Sequence, residues 1–148
     1  MVDERTLVAD IKSYIDNIEG FKAEGEEHLI NLKRMDLIVY YDKQILFNAE
    51  FKRPTTIESK TPRNADVVQD AFNKANNLRT PSKFFVTSNF NETIVWDNRD
   101  NTLPIMGRDI KTINLEKKIS RNEDFMNEEV RDAISRAVRA VCRYILDV

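Results

Sequence analysis

The chain has 148 residues, 41% of them hydrophobic and 32% charged, which predicts one globular domain with a real core. No apolar run of about 18 residues occurs, so no membrane-spanning helix is expected, and Met1-Val2-Asp3-Glu4-Arg5 lacks the basic-then-apolar pattern of a secretory signal. A net charge of −2 excludes a protein that holds nucleic acid by bulk charge alone.

Residues from about Glu4 to Glu19 predict an amphipathic helix, with Leu7, Val8, Ile11, Tyr14, Ile15 and Ile18 on one stripe and Gly20 as its stop. Leu29-Ile30 suggests an edge strand. Leu37 to Tyr41 and Ile45 to Phe51 predict two strands around Asp42-Lys43-Gln44, and Pro54 ends the second. Thr55 to Asn64 reads as a loop, and Asp66 to Leu78 as a helix with Val68, Ala71, Phe72 and Ala75 inward. A second strand pair is expected at Phe84 to Thr87 and Thr93 to Trp96. Asp97 to Lys118 is irregular, with strand character at Lys111 to Leu115. Asn127 to Leu146 predicts the last helix, with Val130, Ile134, Ala137, Val138, Val141 and Ile145 inward and an acid-rich, capped first turn. The order α-β-β-α-β-β-α predicts an α/β domain, a central mixed β-sheet flanked by helices. The end at Val148 has no C-cap glycine, which favours a domain excised from a longer polypeptide over a natural terminus.

Residue chemistry narrows the function. A single cysteine, Cys142, permits no intrachain disulfide, fits a reducing cytoplasm and excludes cysteine-rich zinc sites. With one histidine, His28, any metal should be a hard ion held by oxygens. His28 sits in a charged stretch and is expected to be solvated, and Cys142 to be core. Trp96, Phe84 and Phe85 are expected in the core, no nucleophilic serine is indicated, and no phosphate-cradling glycine motif occurs. From Phe51 to Lys83, seven basic residues face three acidic ones, a local balance of 7 − 3 = +4.

Glu50 and Lys52 are two apart on a strand and so share a face, with Phe51 turned away. Asp36 opens the preceding strand, and it joins them only if the hairpin has the right parity. A three-residue loop places Asp36 opposite Glu50; a two-residue loop places it opposite Ala49, unless a bulge restores parity. Two carboxylates this close call for a cation, and Mg²⁺ suits oxygen ligands, waters and phosphate. Lys52 would then orient an attacking water and stabilise charge developing on phosphorus.

Arg34-Met35-Asp36, then Glu50-Phe51-Lys52-Arg53-Pro54, then Gln69 on a helix, then Phe84 to Asn89 and Val95-Trp96-Asp97 together resemble the PD-(D/E)XK nuclease superfamily. The nearest likeness is to the N-terminal nuclease domains of Type I restriction endonuclease subunits and of restriction–methyltransferase fusion enzymes. The resemblance runs from the first helix to about Asp97. It implies a restriction-endonuclease-like core and a Mg²⁺-dependent endonuclease, with Mn²⁺ as a substitute ion, that hydrolyses double-stranded DNA as the cleavage module of a restriction–modification system. By position, Asp36, Glu50 and the Phe51 carbonyl would bind the metal, Lys52 would be catalytic, and Gln69 would orient the site or touch the DNA backbone. Glu4 would be an accessory acid, and Arg34, Arg53, Lys60 and Arg63 would meet DNA. Many relatives carry a tyrosine four residues after the glutamine, where this chain has Asn73. Methyltransferase, recognition or translocase domains or subunits are the implied partners, and cutting both strands with one site per chain implies a homodimer. The alternatives are a repair, junction-resolving or RNA nuclease of the same fold, and a non-catalytic nucleic-acid-binding scaffold.

Overall fold

A computed structural model of the chain describes residues 4–25, 35–54 and 61–148, with side chains from residue 7 in the first stretch and residue 37 in the second. Arg34, Lys60, His28 and the strand expected at Leu29-Ile30 lie outside these residues. Helix α1 (Glu4–Asp16) buries Leu7, Ile11 and Ile15, as its stripe predicts. It ends at Asp16 rather than Glu19, because the Asp16 carboxylate is drawn off to the next element, accepting from the Ala23 N–H at 2.9 Å. Gly20, at φ 84°, completes the turn; a Cβ there would lie 2.8 Å from the Tyr41 ring.

Strand β1 (Phe21–Gly25) was not expected, since only Phe21 and Ala23 face inward and two residues make no visible period. Strands β2 (Met35–Tyr41) and β3 (Gln44–Phe51) form the expected hairpin, but its turn has two residues, not three. Asp42 and Lys43 have φ of 50° and 68°, the left-handed pair of a type I′ turn. Helix α2 (Ala65–Asn77) is capped by the Asn64 side chain, which accepts from the Asp66 N–H at 3.0 Å. Strands β4 (Phe84–Ser88) and β5 (Glu92–Asp97) follow as expected.

Residues 98–107 are held by Arg108, whose Nε donates to the Leu103 carbonyl at 2.9 Å while its guanidinium lies 5.3 Å from the Phe72 ring centre. Strand β6 (Asp109–Asn114) begins two residues before the expected strand. Helix α3 (Glu128–Asp147) starts at Asn127, whose side chain accepts from the Glu129 and Val130 N–H groups.

The sheet order is β1-β2-β3-β4-β5-β6. Every neighbouring pair is antiparallel except β3 with β4, which α2 joins as a crossover. The molecule is thus the expected α/β arrangement, a mixed sheet with helices on both faces. On one face α1 and α3 cover Val39, Phe47, Ala49, Phe51 and Val86, leaving an apolar cavity of about 40 Å³ bordered by Ile11, Phe90 and Cys142. On the other, α2 lays Val68, Ala71 and Ala75 over Phe85, Ile94 and Trp96. Among the described residues no helix is long and apolar enough to cross a membrane.

Candidate active site

Alternation along β3 sends Phe47, Ala49 and Phe51 to the α1–α3 face and Asn48 and Glu50 to the α2 face. Asn48 is buried but satisfied, donating to the Ala71 carbonyl at 3.1 Å and accepting from Ser82 Oγ at 2.6 Å. These bonds fix the middle of α2, and Ser82 beyond the helix, to the sheet. Glu50 is only 1% exposed, and Lys52 Nζ lies 3.5 Å from its Oε1 while Lys52 itself remains 27% exposed. The Lys52 N–H donates to the Ser88 carbonyl at 2.8 Å, one further bond beyond the end of β3. That bond keeps Lys52 in phase with Glu50 and carries its amine to the sheet's open end.

Parity is settled by a bulge. Tyr41 pairs with Gln44 and Tyr40 with Ile45, as a two-residue turn demands. Between Val39 and Tyr40 the register shifts, Leu46 is left over, and Val39 pairs with Phe47. From there on Asp36 is the partner of Glu50. Directly opposed positions belong to one face, so positions 36, 50 and 52 converge there.

A third strand borders the site. Thr87 is the parallel partner of Glu50, is fully buried, and accepts from Trp96 Nε1 at 3.0 Å. Its hydroxyl donates to the Pro62 carbonyl at 2.8 Å. Thr87 and Leu46 both escape sequence reading. A threonine in an apolar strand carries no sign of which strand lies beside it, and a bulge has no residue signature in Ile45-Leu46-Phe47.

The other expected site residues are dispersed. Gln69 is exposed and donates to Asn73 Oδ1 at 2.8 Å. It shares a flank of α2 with Phe72 and Asn76, and Asn76 accepts from Asn98 at 3.2 Å, so this flank faces residues 98–108, away from β2. Arg53 takes the side opposite to Lys52 and donates to Asn122 Oδ1 at 2.9 Å, in the short 3-10 helix Asn122–Met126. Arg63 is half-exposed and donates to Asp109 at 3.3 Å and to Thr112 at 2.9 Å on β6. Glu4 opens α1.

Among the described residues no three His, Cys, Asp or Glu side chains gather as a metal centre. The donor chemistry here is a buried carboxylate with a second acid opposite it in register, an all-oxygen pair. Such a pair fits Mg²⁺, which takes one or two carboxylates and fills its remaining positions with water and phosphate oxygens. No family model, curated protein or solved structure matches the chain.

Proposed function

We propose that this chain is a Mg²⁺-dependent endonuclease domain that hydrolyses DNA phosphodiester bonds, with Asp36, Glu50 and Lys52 as its centre. The observation that carries the reading is the bulge-restored register, which sets Asp36 opposite Glu50 while the Lys52 amine stands 3.5 Å from the Glu50 carboxylate. A buried acid beside a half-open lysine is an expensive arrangement, and structures retain such pairs where charge must be presented to a ligand.

Asp36, Glu50 and the Phe51 carbonyl would hold the cation, which when bound supplies Lewis-acid chemistry and neutralises phosphate charge. Mn²⁺ is expected to substitute. Glu50, shielded from bulk water, would face the cation with the Lys52 amine 3.5 Å from its Oε1. Lys52 reaches from the solvent side, where its ammonium can orient an attacking water and stabilise the extra negative charge on the phosphoryl oxygens. Arg34, Lys60 and Arg63 are proposed contacts to the DNA backbone, and Gln69 an accessory one. The small net charge suits a cleavage module whose target is chosen elsewhere, by recognition, methyltransferase or translocase partners in a restriction system. Double-strand cutting would need two copies.

The test is plasmid cleavage with Mg²⁺ or Mn²⁺, alongside calorimetry of Mn²⁺ binding. Wild type should nick or linearise the plasmid only with the cation. Asp36→Ala and Glu50→Gln should each lower the rate by at least about a hundredfold and weaken Mn²⁺ binding. Cutting that persists in Asp36→Ala rejects the assignment, and intact Mn²⁺ binding in both variants rejects the metal site.

A further inference from the structure

The hydrogen bonds of Thr87 run in one direction. An indole N–H can only donate and a carbonyl can only accept, so Thr87 Oγ1 must take the Trp96 hydrogen and spend its own on Pro62. All three partners are buried. Trp96 is itself immobilised, stacked on Phe85 at 5.9 Å with the rings within 3° of parallel. The chain Trp96–Thr87–Pro62 therefore ties the segment before α2 to β4, at the register position beside Glu50.

What hangs from this tie is functional in kind. Pro62 is followed by Arg63, anchored to Asp109 and Thr112, and by Asn64, the cap of α2. Residues 61–64 cross from the α2 layer to the sheet next to the buried carboxylate. Thr61 accepts from the Asn64 N–H at 3.0 Å, so the turn is closed on itself and moves as one piece. Its other described anchors are the Arg63 side chain on β6 and Asn64 at the start of α2, so the Thr87 hydroxyl is the tie from the turn to β4.

We propose that Thr87 is a positioning residue of the candidate site: its hydroxyl holds the 61–64 turn against β4 at the register position beside Glu50. This rests on the nuclease reading. The turn then borders the Glu50–Lys52 pair in one geometry, and its displacement by even an ångström costs rate.

The test uses Thr87→Val, which keeps shape and loses the hydroxyl, Thr87→Ser, which keeps it, and Glu50→Gln as reference. Hydrogen exchange is followed at the Asn64 and Val68 amides, the latter bonded to the Asn64 carbonyl at 3.0 Å. Thr87→Val should speed exchange at both amides and lower kcat roughly tenfold with KM within about threefold, as expected for one lost buried hydrogen bond. Thr87→Ser should return both toward wild type. Wild-type exchange and kcat in Thr87→Val, beside an inactive Glu50→Gln, overturn the proposal alone. Full cleavage by Glu50→Gln would instead sink the nuclease reading, leaving exchange to judge the tie. Should Thr87→Val not fold, the wild-type protein decides. Its Val68 amide should be as protected as the middle of α2, and exchange at the pace of a frayed helix end overturns the tie.

Discussion

A carboxylate removed from water loses solvation that an uncharged amide would hardly miss, and Glu50 is 1% exposed. Lys52, partly solvated, is one of the groups that offset that loss, and offsets of this kind seldom exceed the cost of burial. Glu50 should therefore weaken the fold while serving the site. Glu50→Gln is expected to leave unfolding free energy unchanged or raise it by up to about 1 kcal/mol, even as it abolishes cleavage; urea unfolding followed by fluorescence of Trp96 reads this. A loss above about 1 kcal/mol would mean that the ionised carboxylate stabilises the fold. The pairing of Glu50 with Lys52 is legible in the sequence because i and i+2 on a strand share a face. The depth of Glu50 is not, since the α2 layer and the β4 neighbour that bury it come from far along the chain.

At the level of the element, the β2–β3 hairpin shows where pattern reading stops. Apolar runs locate both strands, and parity makes the demand on the turn explicit. Yet Asp42-Lys43 lacks the Asn-Gly signature of a type I′ turn, so a three-residue loop and a bulged two-residue loop are equally open. The bulge at Leu46 wins because it lets Phe47, Ala49 and Phe51 reach the α1–α3 core with the tight turn intact. The turn then holds a lysine at φ 68°, where a Cβ is unfavourable. Lys43→Gly should stabilise the protein by about 0.5–1 kcal/mol, a rise in Tm of roughly 2–4 °C, measurable by calorimetry. No gain would show that the strain is relieved by the exposed side chain. Strand β1 was missed for a different reason: five residues with two inward positions fall below what periodicity can detect.

Across the whole molecule, the layers follow from the order of the elements, and the last helix was legible to within a residue because its stripe is long. The 98–108 segment was not, for it is held by scattered bonds of Asn98 and by the buried Arg108 guanidinium reaching an aromatic ring on α2, none of which forms a sequence period. Cys142 is fully buried against the cavity between α3 and the sheet, as expected of a core residue, and burial pushes its thiol pKa up to about 12. The sign of the resulting pH dependence is fixed. Above the ordinary thiol value of about 8.5 the unfolded chain gives up this proton while the folded chain keeps it. Stability is therefore full below that value and falls as pH rises toward about 12, at up to about 1.4 kcal/mol per pH unit. Cys142→Ala should be less stable at neutral pH but lose this part of the alkaline decline, which is read as the difference between the two unfolding curves from pH 8 to 10. Parallel curves would mean that the thiol ionises in the folded state as readily as in water.

Among the described residues the one parallel pair, β3 with β4, divides the sheet into two ribbons of three antiparallel strands, each built from partners in chain order. Either ribbon pairs strands that are neighbours in the chain, whereas the seam must wait for α2 to swing the second ribbon alongside the first. Asp36, Glu50 and Lys52 belong to the first ribbon, Thr87 to the second. The acids can thus be in register before docking, but Thr87 joins them only when the halves close, so the candidate site is complete only at that last step.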